Sequence, residues 1–146
     1  MDTNIAKPYP GSNASASQIL ELAEEYYEAA MTLSKKNEKE SRLASAPARL
    51  CYIHAIELYL NAFLRHEGVP HKKIRSLMHN LADPSLVVKL KLKRKTSEHL
   101  SAITEKREYL ISRYGPEMTA EQTEMSRLSS TLAEIMTKVR NHIYTN

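Results

Sequence analysis

Five residues of this chain form a candidate ligand- or anion-binding set: Glu57, Arg75, His79, Arg113 and Tyr114. Glu57 lies among Ile53, Ile56, Leu58, Tyr59 and Leu60, on a segment apolar nearly all round. A carboxylate in that setting is costly unless a cation or several donors meet it. Arg75, His79 and Arg113 are the candidate partners. Arg75 and His79 stand four apart, so on a helix they would share one face. The group then has two readings, a structural network tying a following helix to Glu57 or an anion-binding site. The structural reading is the default, because a pattern of residue types is only a hypothesis until geometry joins them.

A second set could act on phosphate. Arg140 and His142 are weak catalytic candidates, since an arginine can stabilise phosphate charge while a histidine moves protons. On a helix, residues two apart point about 200° from each other. One chain cannot place both on one phosphate, whereas a dimer could pair Arg140 of one copy with His142 of the other. The expectation is a protein that does not cleave RNA.

Charge is uneven. Residues 65–95 contain nine Lys/Arg against Glu67 and Asp83, in a chain of formal net charge +4. Lys89, Lys91, Lys93, Arg94 and Lys95 are the densest part and a candidate nucleic-acid surface. No aromatic residue is interleaved there, so bases would have no stacking platform. A solvated helix end is the plain alternative. Of the six histidines, His66 and His71 flank a loop and His79 lies a turn beyond, with no cysteine or carboxylate at ligand spacing beside them, so no metal is expected. No cofactor is expected either, as no phosphate-binding loop or nucleophile elbow is present. Cys51, the single cysteine, reads as a small buried hydrophobe.

Helices must position these groups. Ser15 and Gln18 form a capping box at the start of a helix reaching about Lys36, with Ile19, Leu22, Ala23, Tyr26, Ala30 and Leu33 as its apolar stripe. Ser45 is a plausible cap and Pro47 a first-turn residue for a second helix, which Gly68 ends. The pattern predicts a third helix over 70–81. Asp83-Pro84 opens a segment in which Val88, Leu90 and Leu92 alternate with lysines. A lone strand would have no partner, so the segment reads as helix. A helix from Thr96 or Ser97 to Tyr114 follows, then a second capping box at Thr119 and Gln122. The final helix shows the seam Met125, Leu128, Leu132, Ile135, Val139 and Ile143. The expected fold is all-α, an antiparallel up-and-down bundle of four main helices plus one or two short ones.

With 146 residues, 42% hydrophobic and 26% charged, the chain can bury one core and is not of disordered type. Residues 1–14 read as a flexible tail and 15–146 as one domain. No segment resembles a signal peptide, and no apolar run is long enough for a bilayer, which implies a cytoplasmic protein without membrane contact. A second helix apolar on nearly all sides and a long terminal seam suggest a homodimer.

The order of three elements resembles the HEPN domains, small helical bundles named for nucleotide binding. Glu57-Leu58-Tyr59-Leu60-Asn61-Ala62 is similar to the family's second-helix run, with Asn61 where lysine is usual. His79-Asn80-Leu81 follows, with Asn80 in place of aspartate, and Arg113-Tyr114 precedes Gly115-Pro116. The resemblance covers residues 45–146. It implies an RNA-, nucleotide- or other anion-binding module, or a partner of a nucleotidyltransferase in a two-component toxin–antitoxin pair. It also implies a metal-independent endoribonuclease as an alternative. The family's ribonuclease signature separates its arginine and histidine by several residues. Arg140-Asn141-His142 departs from it, so a non-catalytic binding or regulatory role leads.

Overall fold

The computed structural model describes residues 7–36 and 41–145. The first six residues of the expected tail, residues 37–40 of the first linker and residue 146 lie outside the described residues. All regular structure among the described residues is helical: α1 (Ala16–Lys36), α2 (Ala46–His66), α3 (His71–Arg75), α4 (Pro84–Leu90), α5 (Arg94–Lys106), α6 (Glu108–Tyr114) and α7 (Met125–Tyr144). A 3₁₀ helix, Pro116–Glu121, precedes α7. No described helix is long and apolar enough to cross a membrane.

The core is built around α2. Tyr52, Ile56, Tyr59 and Phe63 are all but inaccessible, and Ala55 and Ala62 let neighbouring helices approach. α1 contributes Leu20, Ala23 and Ala30, α5 contributes Leu100 and Ile103, and α7 contributes Leu128, Leu132, Ile135 and Val139. The middle of the terminal seam and much of the apolar surface of α2 are thus covered within a single chain, while Met125 and Ile143 at the ends of the seam are partly buried. Leu22, expected in the stripe of α1, is 48% exposed, and Leu20 takes the buried place. Contacts of Glu24 with Tyr59 and Tyr26 with His54 show α1 and α2 running in opposite directions. His99 meets Thr131, and Thr96 meets Glu134, so α5 and α7 also oppose each other.

Several helix limits follow the sequence. The Ser15 backbone N–H donates to Gln18 Oε1 at 2.9 Å, and the Gln18 N–H donates to Ser15 Oγ at 3.1 Å, the two halves of a capping box. Asp83 accepts from the Ser85 N–H at 2.9 Å and caps α4. Gly68 ends α2 at φ +87°, a conformation that favours glycine. At Gly115 a Cβ would sit 3.2 Å from Ile111 Cα, a tight approach that favours glycine in the turn after α6.

Other limits differ. Ser45 holds the cap position of α2, yet its hydroxyl donates back to the Arg42 carbonyl and accepts from no backbone N–H of the helix. The segment after Asp83 is helical only to Leu90, and α5 starts at Arg94 rather than at Thr96 or Ser97. The expected continuous helix to Tyr114 breaks at Arg107. Lys91 and Arg107 end α4 and α5 in left-handed conformations, φ 52° and 53°, with no glycine to signal them. The third helix stops at Arg75 instead of reaching residue 81. Thr119 and Gln122 form no capping box: the 3₁₀ helix occupies that stretch, and Gln122 follows its end, buried with its amide near Ser112 Oγ at 3.4 Å.

Candidate ligand-binding cleft

Glu57, Arg75 and His79 come together on one cleft of about 320 Å³. Its floor is apolar, from Leu60, Leu64, Ile74, Leu77, Leu81 and Leu86. Its rim carries Tyr9, Asn61 and Asn80 beside the three charged or titratable groups. A concave apolar site with a few convergent polar groups is the usual form of a small-ligand pocket.

Local geometry explains how this cleft forms. After Arg75 the chain leaves the helix, and Met78 and His79 both adopt left-handed backbone, at φ 48° and 68°. Two consecutive residues without glycine in this region store strain, which surrounding contacts must hold. Those contacts are present. His79 Nδ1 lies 2.7 Å from Glu57 Oε1, and its ring faces Tyr109 of α6 with centroids 4.5 Å apart. The Leu81 N–H donates to Thr104 Oγ1 at 3.1 Å, anchoring the far end of the turn. Glu57 is therefore half-buried, its side chain 18% exposed, and not sealed in the core as its neighbours suggest. Its partner is His79.

Arg75 and Arg113 do not pair with Glu57. The Arg75 guanidinium lies over the Tyr9 ring, 4.2 Å from the centroid, a cation–π contact that brings the N-terminal segment across α3. Arg75 and His79 do not share a helical face, since His79 is outside the helix, yet the turn returns both to one cleft. Arg113 is exposed and acts electrostatically on His54, whose pKa is lowered first by burial and further by Arg113, against the opposing Glu57 carboxylate. Tyr114 is 73% exposed and lines a separate, smaller hollow with Lys106 and Met118. Of the five anion-site candidates, three meet and two lie elsewhere.

The phosphate candidates at the C-terminus are engaged by other groups. Arg140 Nε donates to Glu24 Oε1 at 2.6 Å, and Tyr59 donates its hydroxyl to the same carboxylate. Hydrogen bonding to Glu24 raises the Arg140 pKa, and burial followed by that bond raises the Tyr59 pKa. The His142 ring meets Phe63 edge-on at 5.1 Å. Cys51 is half-buried, and burial pushes its thiol pKa up, away from nucleophilic use. No group of three or more His, Cys, Asp or Glu among the described residues is placed to hold a metal.

The buried ion pair of this protein was not expected from the sequence. Arg49 and Glu108, 3.7 Å apart, have side chains 3% and 0% exposed. Arg49 also donates to the Thr123 carbonyl at 2.6 Å, and Thr123 gives its N–H and hydroxyl to Glu108 Oε1. His99 sits between Thr131 Oγ1 and Thr123 Oγ1 at 2.7 and 2.8 Å. Burial, with Arg127 and Arg49 nearby, holds the His99 pKa down at about 4. This cluster is a hydrogen-bonded group in the interior, the form of a structural network, with Glu108 Oε2 left without a partner among the described residues. Its one sequence signal is Arg49 on the most apolar helix.

Compared with known proteins, the chain matches no family model, no curated protein and no solved structure.

Proposed function

We propose that this chain is a HEPN-like, up-and-down helical binding module, and that the Glu57–Arg75–His79 cleft takes a small ligand bearing a phosphate or carboxylate. The observation that carries this reading is convergence. Residues from α2, α3 and the strained turn after it reach a single apolar-floored hollow. The Arg75 guanidinium lies over the Tyr9 ring, and a contact made to the ring face leaves N–H donors for an anion. His79 Nδ1 meets Glu57 Oε1 at the rim, 2.7 Å away. The leucines and Ile74 suit an apolar or planar portion of the ligand, such as a nucleobase. Binding is favoured over RNA cleavage because Arg140 is held by Glu24, away from any phosphate role shared with His142.

Thermal melting with a panel of nucleoside monophosphates and inorganic phosphate tests this reading. A ligand at about a hundred times its Kd adds roughly 2.7 kcal/mol of stability. At least one nucleotide should raise the melting temperature of wild type and fail to do so for Arg75→Ala. A shift that survives Arg75→Ala, or no shift with any probe, overturns the proposal. Metal-independent RNA cleavage abolished by Arg140→Ala would overturn its non-catalytic part.

A further inference from the structure

The alternating Lys-Leu-Lys-Leu-Lys of residues 89–93 forms a corner in the fold. Leu90 and Leu92 plug into the core, at 2% and 8% exposure, while Lys89, Lys91 and Lys93 face solvent. Left-handed Lys91 turns the chain, and α5 begins at once with Arg94 and Lys95, also exposed. The basic residues therefore spread from one point instead of lining a helix.

Their placement is electrostatically unfavourable in the isolated protein. Arg94 and Lys95 occupy the first turn of α5, where the helix dipole already presents positive charge. Six cations, Lys89, Lys91, Lys93, Arg94, Lys95 and Lys138, face two acids, Glu98 and Glu134. That excess of four equals the formal net charge of the whole chain. Glu98 meets Arg94 in a pair whose side chains are 63% and 92% exposed, which contributes little. Glu134 is already saturated by the Lys93 N–H at 2.8 Å, the Thr96 hydroxyl and Lys138 Nζ at 2.6 Å. Burial would raise the Glu134 pKa, but these hydrogen bonds outweigh it and hold the carboxylate ionised. Beside this corner runs a shallow groove of about 470 Å³, edged by Lys93 and Lys138 and floored by Ser130, Ala133 and Thr137 of α7.

We propose that this corner and groove dock the sugar–phosphate backbone of a double-stranded nucleic acid. Charge complementarity names a polyanion. Protein interfaces are depleted in lysine and centred on apolar or aromatic anchors. Here lysine dominates, and Val88 is the one large apolar side chain exposed between residues 84 and 98. Single-strand binders present aromatic platforms to the bases, and this segment contains no aromatic residue. A duplex hides its bases and offers phosphates, which lysines meet as point charges without reading sequence. The surface is distinct from the Glu57–Arg75–His79 cleft.

The test is fluorescence anisotropy with a 20-base-pair RNA duplex, the matching DNA duplex, one of its single strands, and polyglutamate. Wild type should bind a duplex with affinity that falls steeply as salt rises. Lys89→Gln/Lys93→Gln/Lys95→Gln should weaken it about tenfold or more at moderate salt and lower the log–log salt slope by roughly 2–3. Lys7→Gln/Lys35→Gln/Lys106→Gln, with the same net charge, should leave the slope unchanged. All six lysines are exposed, and melting temperatures check that both variants fold. The RNA and DNA arms show which backbone is preferred. Equal losses in the two variants, a single strand bound as tightly as a duplex, or polyglutamate bound as tightly would each overturn the proposal.

Discussion

Two regions of this molecule set a carboxylate against a histidine and an arginine, and they do opposite things with them. Around Glu108, the arginine and the histidine are buried with the carboxylate, and Thr123 and Thr131 supply further bonds. Around Glu57, the carboxylate holds a half-exposed histidine, the arginine leans on a tyrosine from the N-terminal segment, and the backbone is strained. The first arrangement closes a bundle end. The second leaves polar edges open above an apolar floor. Similar residue types yield a structural lock or a candidate binding site according to whether other segments cover them, even though Glu108 Oε2 in the covered network has no hydrogen-bond partner among the described residues.

The contrast is tested most severely by Glu108→Ala. It strands the Arg49 charge in the interior, for which about 3–5 kcal/mol of destabilisation is expected. Urea unfolding measures the loss, and a change under about 1 kcal/mol would mean the network is not a lock.

Acidification acts on the same region. The His99 pKa is depressed to about 4 in the fold, below its unfolded value of 6.5. The unfolded chain therefore takes up the proton first as pH falls. Stability from this group is complete above pH 6.5, declines through the window to about pH 4, and then levels. The loss should be on the order of 3 kcal/mol. His54, whose pKa is also lowered, adds a decline of the same sign. Unfolding curves between pH 7.5 and 4 should be flatter for His99→Gln, and parallel curves would refute the assignment.

Smaller effects, of both signs, belong to the cleft. Met78→Gly relieves one left-handed residue at an exposed position and should stabilise by about 0.5–1 kcal/mol. A destabilisation would show that Met78 is held by contacts worth more than its strain. Least of all, Glu57→Ala should cost under about 1 kcal/mol, because its partner His79 is 42% exposed and such pairs contribute little. A loss near that of Glu108→Ala would erase the difference between the two regions.

Much of the fold was legible wherever a residue's local chemistry carries the signal. The Ser15/Gln18 box, the Asp83 cap, the Gly68 stop and the three-four seam of α7 depend on neighbours within one turn. The missed breaks at Lys91 and Arg107 have a common cause. Both residues adopt the left-handed conformation that glycine usually signals, so nothing in their types marks a helix end. The truncated α3 is the same case, with Met78 and His79 bent back by Glu57, Tyr109 and Thr104. In the site, Asn61 was within reach of pattern reading, one helical turn beyond Glu57. Tyr9 was not, since nothing in the N-terminal segment predicts that its ring would lie against Arg75.

The sequence by itself determined that this chain is helical and that α2 lies at its centre, because periodicity and all-round apolarity are properties of single segments. Tertiary structure alone decided which acid is buried. Glu57 has the more apolar neighbours in sequence, but its side of α2 opens on the cleft beside the turn that delivers His79. Glu108 follows the break at Arg107 and is turned inward onto Arg49 and Thr123. Burial of a side chain depends on what other segments cover it, and that information lies in the packing of α2, α6 and α7 together.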